Sequence, residues 1–392
     1  MEKTHGFRLS EQVVKTLADR HGTPILVLSL AEIEANYRML RKHLPGVTLY
    51  YAMKANPDQR LVRRLADIGS SFDVASDGEI LTLAEMGVTP HRMVYANPVK
   101  TMGGFAACKK TGVRKFTFDS TSEISKMAAS VPNATVLLRI RIDNTGAHVD
   151  LNKKFGASPA DAVALLSQAK ASGLDAAGLC FHVGSQTTSA APYLAALRLA
   201  RRLFNDAAEA GLDLRILDIG GGFPIPTTDM DFDRAEMLDM INQEVEALFP
   251  DTEIWAEPGR FICGTAVNLI TRVIGVSERN GQPWYFLDDG LYGTFSGVIF
   301  DHWDYELIPF KEGFAIPSTF AGPSCDSLDI MFRDKPMPPL VVDDILLVPN
   351  CGAYTSASAT VFNGFAKTEI FVWEELKETL MTEENFRLAC AG

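Results

Sequence analysis

Lys54 closes an apolar, aromatic run, residues 49–53, and is followed at once by Ala55, Asn56 and Pro57. Such a run reads as a buried strand, and Asn-Pro as the loop that ends it. A lysine at that junction stands at the mouth of a sheet. In an apolar setting its amine can be held in reach of the neutral form, which is what a nucleophile toward an aldehyde requires. Taken alone, the segment favours a plainer reading, a strand-end lysine extending to solvent. The rest of the chain reverses that preference.

Two glycine-rich segments supply the next chemistry. Asp218-Ile219-Gly220-Gly221-Gly222-Phe223-Pro224 offers bare backbone N–H groups, and Glu257-Pro258-Gly259-Arg260 adds further backbone and a guanidinium. A lone triple glycine is more often a tight turn. With Arg260 at the next strand end and Ser185 one strand earlier, it reads as a phosphate cradle. Glu257 lies a few residues from that anchor, where a carboxylate can face the ring nitrogen of a phosphorylated pyridoxal and keep the ring an electron sink. An ion pair with Arg260 is the other reading of Glu257. His182, in Cys180-Phe181-His182-Val183-Gly184-Ser185, is placed to stack on the ring, and its alternative is a structural histidine.

Three clusters follow downstream: 288–293 running on to Asp301, 322–329, and 350–355. Adjacent Cys325 and Asp326 combine a proton donor with a cation binder, although most isolated cysteines are inert small hydrophobes. The seven histidines show no H-x-x-x-H pair, so no metal set is expected.

The elements that must position these groups alternate. β-Rich runs fall at 47–53, 71–75, 92–95, 115–118, 134–142, 177–183, 214–219 and 252–256. Helix-forming stretches occupy most intervals, at 59–68, 78–86, 121–129, 159–172, 191–209 and 234–248. That is the count and rhythm of a (β/α)8 TIM-like barrel, although an open doubly wound sheet shares the alternation. Lys54, Asp73, Asp119, Arg139, His182 with Ser185, the glycine triplet and Glu257 to Arg260 each follow an apolar run. A barrel gathers such strand ends on one face, which decides for it. Beyond Arg260, runs at 266–277, 284–287, 314–320, 345–348 and 368–373 are separated by turns, giving a mostly antiparallel β domain. The expected organisation is an N-terminal segment 1–29 joining the β domain, a barrel over 30–265 that binds the cofactor, and the β domain over 266–392.

The fold class read from this pattern is α/β, and the composition is that of an ordinary soluble globular protein: 392 residues, 47% apolar and 22% charged. A net charge of -12 argues against a nucleic-acid or anionic-membrane surface. Six scattered cysteines with no C-x-x-C pair are expected to be reduced and separate. Without a basic leader running into an apolar core, or a run of about 18 apolar residues, the expected location is the cytoplasm.

Nearly the whole chain resembles the fold type III, alanine-racemase-like pyridoxal-phosphate decarboxylases, and within them the ornithine decarboxylase branch. The segments that carry the resemblance are 51–56, 72–76, 95–98, 181–185, 220–224, 257–260, 322–329 and 352–355, in order. It implies pyridoxal 5'-phosphate linked to Lys54, with His182 on the ring and Glu257 at its nitrogen. Ser185, Gly221, Gly222, Gly259, Arg260 and Tyr354 would hold the phosphate, and Asp73 and Arg139 would line the site beside the lysine. Cys325 would return a proton to Cα, while Asp301, Asp326, Tyr292 and Phe362 would form the substrate side. It also implies a homodimer in which Cys325 and Asp326 cross to the other copy's site.

The implied reaction is decarboxylation of a basic L-amino acid, L-ornithine to putrescine, with L-lysine to cadaverine also accommodated. One methylene separates the two, worth about 1–3 kcal/mol. Gln186 and Ser327 stand where animal members tend to have glycine, which leaves the preferred side-chain length open. The alternatives are decarboxylation of meso-diaminopimelate, against which Asp326 and Asp301 speak, or of L-arginine. From another class comes a catalytically inactive homologue that binds a regulator, opposed by the presence of Lys54, Arg260 and Cys325.

Overall fold

The computed structural model describes residues 6–142, 154–227 and 232–390, the last nine without their side chains. The chain divides into two compact units, one of residues 34–225 and 229–262, the other of 1–33, 226–228 and 263–392.

Sixteen strands are described. In the second unit β1 (Ile25–Leu28) opens the chain's β structure. The first unit holds β2 (Val47–Ala52), β3 (Ser71–Val74), β4 (Met93–Tyr95), β5 (Lys115–Phe118), β6 (Thr135–Arg139), β7 (Asp175–Cys180), β8 (Ile216–Asp218) and β9 (Glu253–Ala256). These eight form a closed parallel barrel in sequence order, sealed where Val47 to Leu49 pair with Ile254 to Ala256. Closure selects the barrel over the open sheet that the sequence allowed.

The barrel strands are nearly all apolar because inward positions fill the lumen and outward ones lie under helices. Tyr50, Val94, Ala96, Leu137, Ala177, Cys180, Ile216 and Trp255 form an inner cluster. Tyr50 and Trp255 pack with ring centroids 4.8 Å apart, and Lys115 donates to the Tyr50 hydroxyl at 2.8 Å. Lys115 begins β5, so this plug lies toward the N-terminal ends of the strands and leaves the other face for polar groups.

Helix starts follow the cap residues in the sequence. Asp58, Ser76, Thr101 and Asp233 each accept a backbone N–H of the helix they precede. Helix Met102–Thr111 was not anticipated, since Gly103 and Gly104 blur its pattern. Lys100, buried just before it, donates to the carbonyls of Asn97 and Pro98 at 3.0 Å and of Thr117 at 2.5 Å. One ammonium thus ties the loop after β4 to β5.

The other unit is built on a mixed, mostly antiparallel sheet. Its strands are β10 (Val267–Arg279), β11 (Gln282–Leu287), β12 (Ile308–Pro309), β13 (Ile316–Ala321), β14 (Ile330–Met337), β15 (Ile345–Val348) and β16 (Glu369–Val372). The order is β12-β15-β10-β11-β13-β14, and β1 pairs with β10 and with β16. Helix Glu11–His21 buries Val14, Leu17 and Ala18 in a core with Ile25, Val27, Ile270 and Leu347. Helix Trp373–Cys390 follows β16 directly; the apolar run up to 373 masks its start in the sequence. Among the described residues no helix is long and apolar enough to cross a membrane, and no group of three His, Cys, Asp or Glu could hold a metal ion.

Candidate active site

Lys54 sits in the 3-10 turn Met53–Ala55 that β2 runs into. Ala52 pairs with Asp73 on β3, so the lysine reaches back over its neighbour strand, and Nζ forms an ion pair with the Asp73 carboxylate. The Asp73 side chain is 1% exposed and that of Lys54 46%, so a fixed anion holds an amine that remains reachable.

Arg139 ends β6, its guanidinium 5.4 Å from the Phe155 ring. His182 lies two residues past β7. Its Nδ1 accepts the Gly184 N–H at 3.0 Å, which requires that nitrogen to be unprotonated. Desolvation, then the charges of Arg139 and Lys54, hold the imidazole well below its usual range. A neutral histidine is therefore presented, suited to packing against an aromatic ring.

Gly220, Gly221 and Gly222 follow β8. Gly220 and Gly222 have φ of 69° and 102°, and a Cβ on either would run into the carbonyls of Phe181 and Gly184 respectively. A Cβ at Gly221 would meet the Glu257 carbonyl at 2.6 Å and His182 Nε2 at 3.2 Å. Tyr193 donates to the Gly221 carbonyl at 2.9 Å, fixing the turn from behind. Ser185 lies in the β7 loop beside this turn, where the Thr187 N–H reaches the Gly222 carbonyl at 2.9 Å. Arg260 is buried and begins the short helix after β9, directly after Gly259.

Glu257 and Asp218 terminate adjacent strands. The Glu257 N–H donates to the Gly220 carbonyl, and the Gly220 N–H to Asp218 Oδ1, both at 2.8 Å. Desolvation raises the Glu257 carboxyl well above its usual range, and the nearby Asp218 and Asp73 carboxylates add to this. Burial likewise pushes Asp218 up to about 6. In the sequence Asp218 stands out only as part of the glycine motif; a carboxylate two residues before G-G-G is its one signal.

The barrel thus gathers an accessible amine, a neutral imidazole, a glycine turn, a buried guanidinium and a buried carboxyl held above its usual range on one face. Those donors fit a phosphorylated pyridoxal: the amine for its aldehyde, the backbone and arginine for its phosphate, and the carboxyl for its ring nitrogen.

The β unit carries its own cluster. Tyr292 stacks on Phe362 with centroids 4.2 Å apart, and its hydroxyl bonds the Asp326 carboxylate. Asp326 Oδ1 also accepts the Leu328 N–H at 3.0 Å. The exposed Cys325 is held by its N–H on Asn363 Oδ1 at 3.0 Å. Asn363 is a partner that the sequence reading missed, and its left-handed φ of 55° is its only mark. Asp301 is buried at the end of helix Gly297–Phe300. Tyr354 lies in the turn 350–355 of the same unit, at φ 57°.

The family model for the pyridoxal-dependent decarboxylase, pyridoxal binding domain, matches residues 30–264. The chain belongs to the pyridoxal-dependent decarboxylases. It is 53% identical over 382 residues to the lysine/ornithine decarboxylase of Selenomonas ruminantium, covering 97% of each chain. It is also 35% identical over 382 residues to antizyme inhibitor 2 of Xenopus laevis, covering 92% of this chain and 84% of that one. The crystal structure of SrLDC in complex with PLP and cadaverine aligns with a TM-score of 0.91 and 51% identity, covering 97% of this chain and 98% of that one. As a pyridoxal-dependent decarboxylase, the chain has the closed barrel and antiparallel sheet expected of fold type III.

Proposed function

We propose that this chain removes CO2 from basic L-amino acids, L-lysine and L-ornithine, to give cadaverine and putrescine. The observation that carries the reading is the face shared by Lys54, Asp73 and Glu257, an amine and two buried carboxyls at strand ends of one barrel. The likeness over 97% of a lysine/ornithine decarboxylase supports it.

Pyridoxal 5'-phosphate, when bound, supplies an aldehyde for the amine and a ring that accepts the electrons of the broken Cα–carboxylate bond. Lys54 is its attachment point, with Asp73 holding the amine in place. Ser185, Gly221, Gly222, Gly259, Arg260 and Tyr354 hold the phosphate by N–H, hydroxyl and guanidinium donors. Glu257 faces the ring nitrogen and governs the proton there. His182 covers a ring face without adding a charge, and Arg139 flanks the site.

We place Cys325 and Asp326 in the site of a second copy. Cys325 is exposed on a turn held by Asn363, as a group that works outside its own fold must be. Its thiol returns the proton to Cα. Asp326, oriented by Tyr292 and backed by Phe362, receives the distal ammonium, and we assign Asp301 to the same end. A site of this polarity discriminates against side chains with no second positive charge, because Asp326 would be left unmatched.

A second reading, a non-catalytic regulator, is favoured by the likeness to antizyme inhibitor 2. CO2 release from L-lysine, L-ornithine, L-arginine and meso-diaminopimelate, with and without added pyridoxal phosphate, separates the possibilities. Turnover of lysine and ornithine that depends on the cofactor supports the proposal. No turnover with any of the four refutes it in favour of the regulator.

A further inference from the structure

Asp218 has 0% exposure, and its two oxygens are differently served. Oδ1 accepts the Gly220 N–H at 2.8 Å, whereas Oδ2, fully enclosed, has no N–H or hydroxyl donor among the described residues. A buried carboxylate oxygen without a donor carries the uncompensated cost of its lost hydration. The group it does meet is another carboxyl, that of Glu257. Two carboxyls bond only if one of them retains a proton, because both ionised forms are pure acceptors. The backbone sets the two acids on neighbouring strand ends: β8 and β9 pair Asp218 with Trp255, and the Glu257 N–H is fixed on the Gly220 carbonyl.

We propose that Asp218 is a positioning residue that holds the Glu257 carboxyl through one proton shared between them, and so fixes which Glu257 oxygen is turned toward the cofactor's ring nitrogen. The proton belongs to Glu257, and Asp218 accepts it. Asp218 is the group already stabilised as an anion by the Gly220 N–H, while Glu257 faces two carboxylates, Asp218 and Asp73.

The surroundings keep the pair from ionising fully. Asp73 on β3 adds negative charge, Lys54 after β2 opposes it, and Tyr50 on β2 and Cys180 on β7 stay neutral, each shifted upward by burial and by these same two acids. The consequence for the ring nitrogen rests on the decarboxylase reading; the shared proton does not.

Infrared difference spectroscopy of the cofactor-free full-length protein at neutral pH tests the proton itself. Wild type minus Glu257→Gln should show one neutral carboxylic C=O band, because in the variant Asp218 accepts from the glutamine amide and stays ionised. Absence of that band overturns the proposal, whatever the activity. Asp218→Asn tests positioning. Removing the anion should shift the acid-side limb of the pH dependence of pyridoxal-phosphate binding to lower pH by about one unit. A limb that superimposes on wild type, with only a lower melting temperature, would mean a merely structural role. If Asp218→Asn does not fold, the infrared band decides alone.

Discussion

The Nζ of Lys54 and the carboxylate of Asp73 form an ion pair across β2 and β3, with the anion enclosed and the amine open to the barrel mouth. The amine is thus aimed without being covered, the condition for a nucleophile that must first take up a cofactor and then release it to substrate.

Asp73→Asn should therefore leave the fold intact but lower kcat/KM by about a hundredfold, in the range of a lost acid–base partner. Lys54→Ala should lose covalent attachment altogether and at least about a thousandfold in turnover. Steady-state CO2 release measures both, and full turnover by Lys54→Ala would remove the lysine from the chemistry.

Gly222→Ala places a methyl against the Gly184 carbonyl at a φ of 102°. Strain of about 1–3 kcal/mol is expected, felt both as a lower melting temperature and as weaker pyridoxal-phosphate binding. Gly173, also at positive φ but with nothing within 4 Å of its Cβ position, is the control: its alanine variant should bind the cofactor as wild type does.

Cys325→Ala should still release CO2, slowly, while the yield of diamine per CO2 falls because Cα is protonated wrongly or late. Mixing Lys54→Ala with Cys325→Ala should restore roughly a quarter of wild-type activity. Random C2 pairing puts half the dimers in the mixed state, with one intact site of two. No recovery would mean that each chain completes its own site.

Asp218 is raised to about 6 in the folded protein, above its unfolded value, by burial. A raised acid stabilises fully below the unfolded value and loses that contribution as pH climbs toward the folded one. Relative to Asp218→Asn, the cofactor-free wild type should therefore lose stability as pH rises from about 4 to 6. Urea denaturation across that window checks the direction, and parallel curves would contradict it.

Much of this was legible in the sequence because barrel strands are short apolar runs that end in a polar residue. Lys54, Asp73, Arg139, His182 and Glu257 were each found by that rule, and the closed barrel brings their strand ends to one face. The glycine triplet was readable as a cradle because a side chain has no room there. Three features were not legible. Helix Met102–Thr111 hides behind its two glycines. Asn363 is a lone polar residue whose contact with Cys325 spans 38 positions. The Asp218–Glu257 pair depends on adjacency of β8 and β9, so neither local pattern reveals it.

Lys54 is the lysine expected to carry the cofactor. Borohydride reduction of the pyridoxal-phosphate-loaded protein, followed by peptide mass spectrometry, reads it directly. The account predicts a pyridoxyl-phosphate label on the peptide containing Lys54 and on no other lysine; a label on a different lysine, or no label in protein that retains the cofactor, would contradict it.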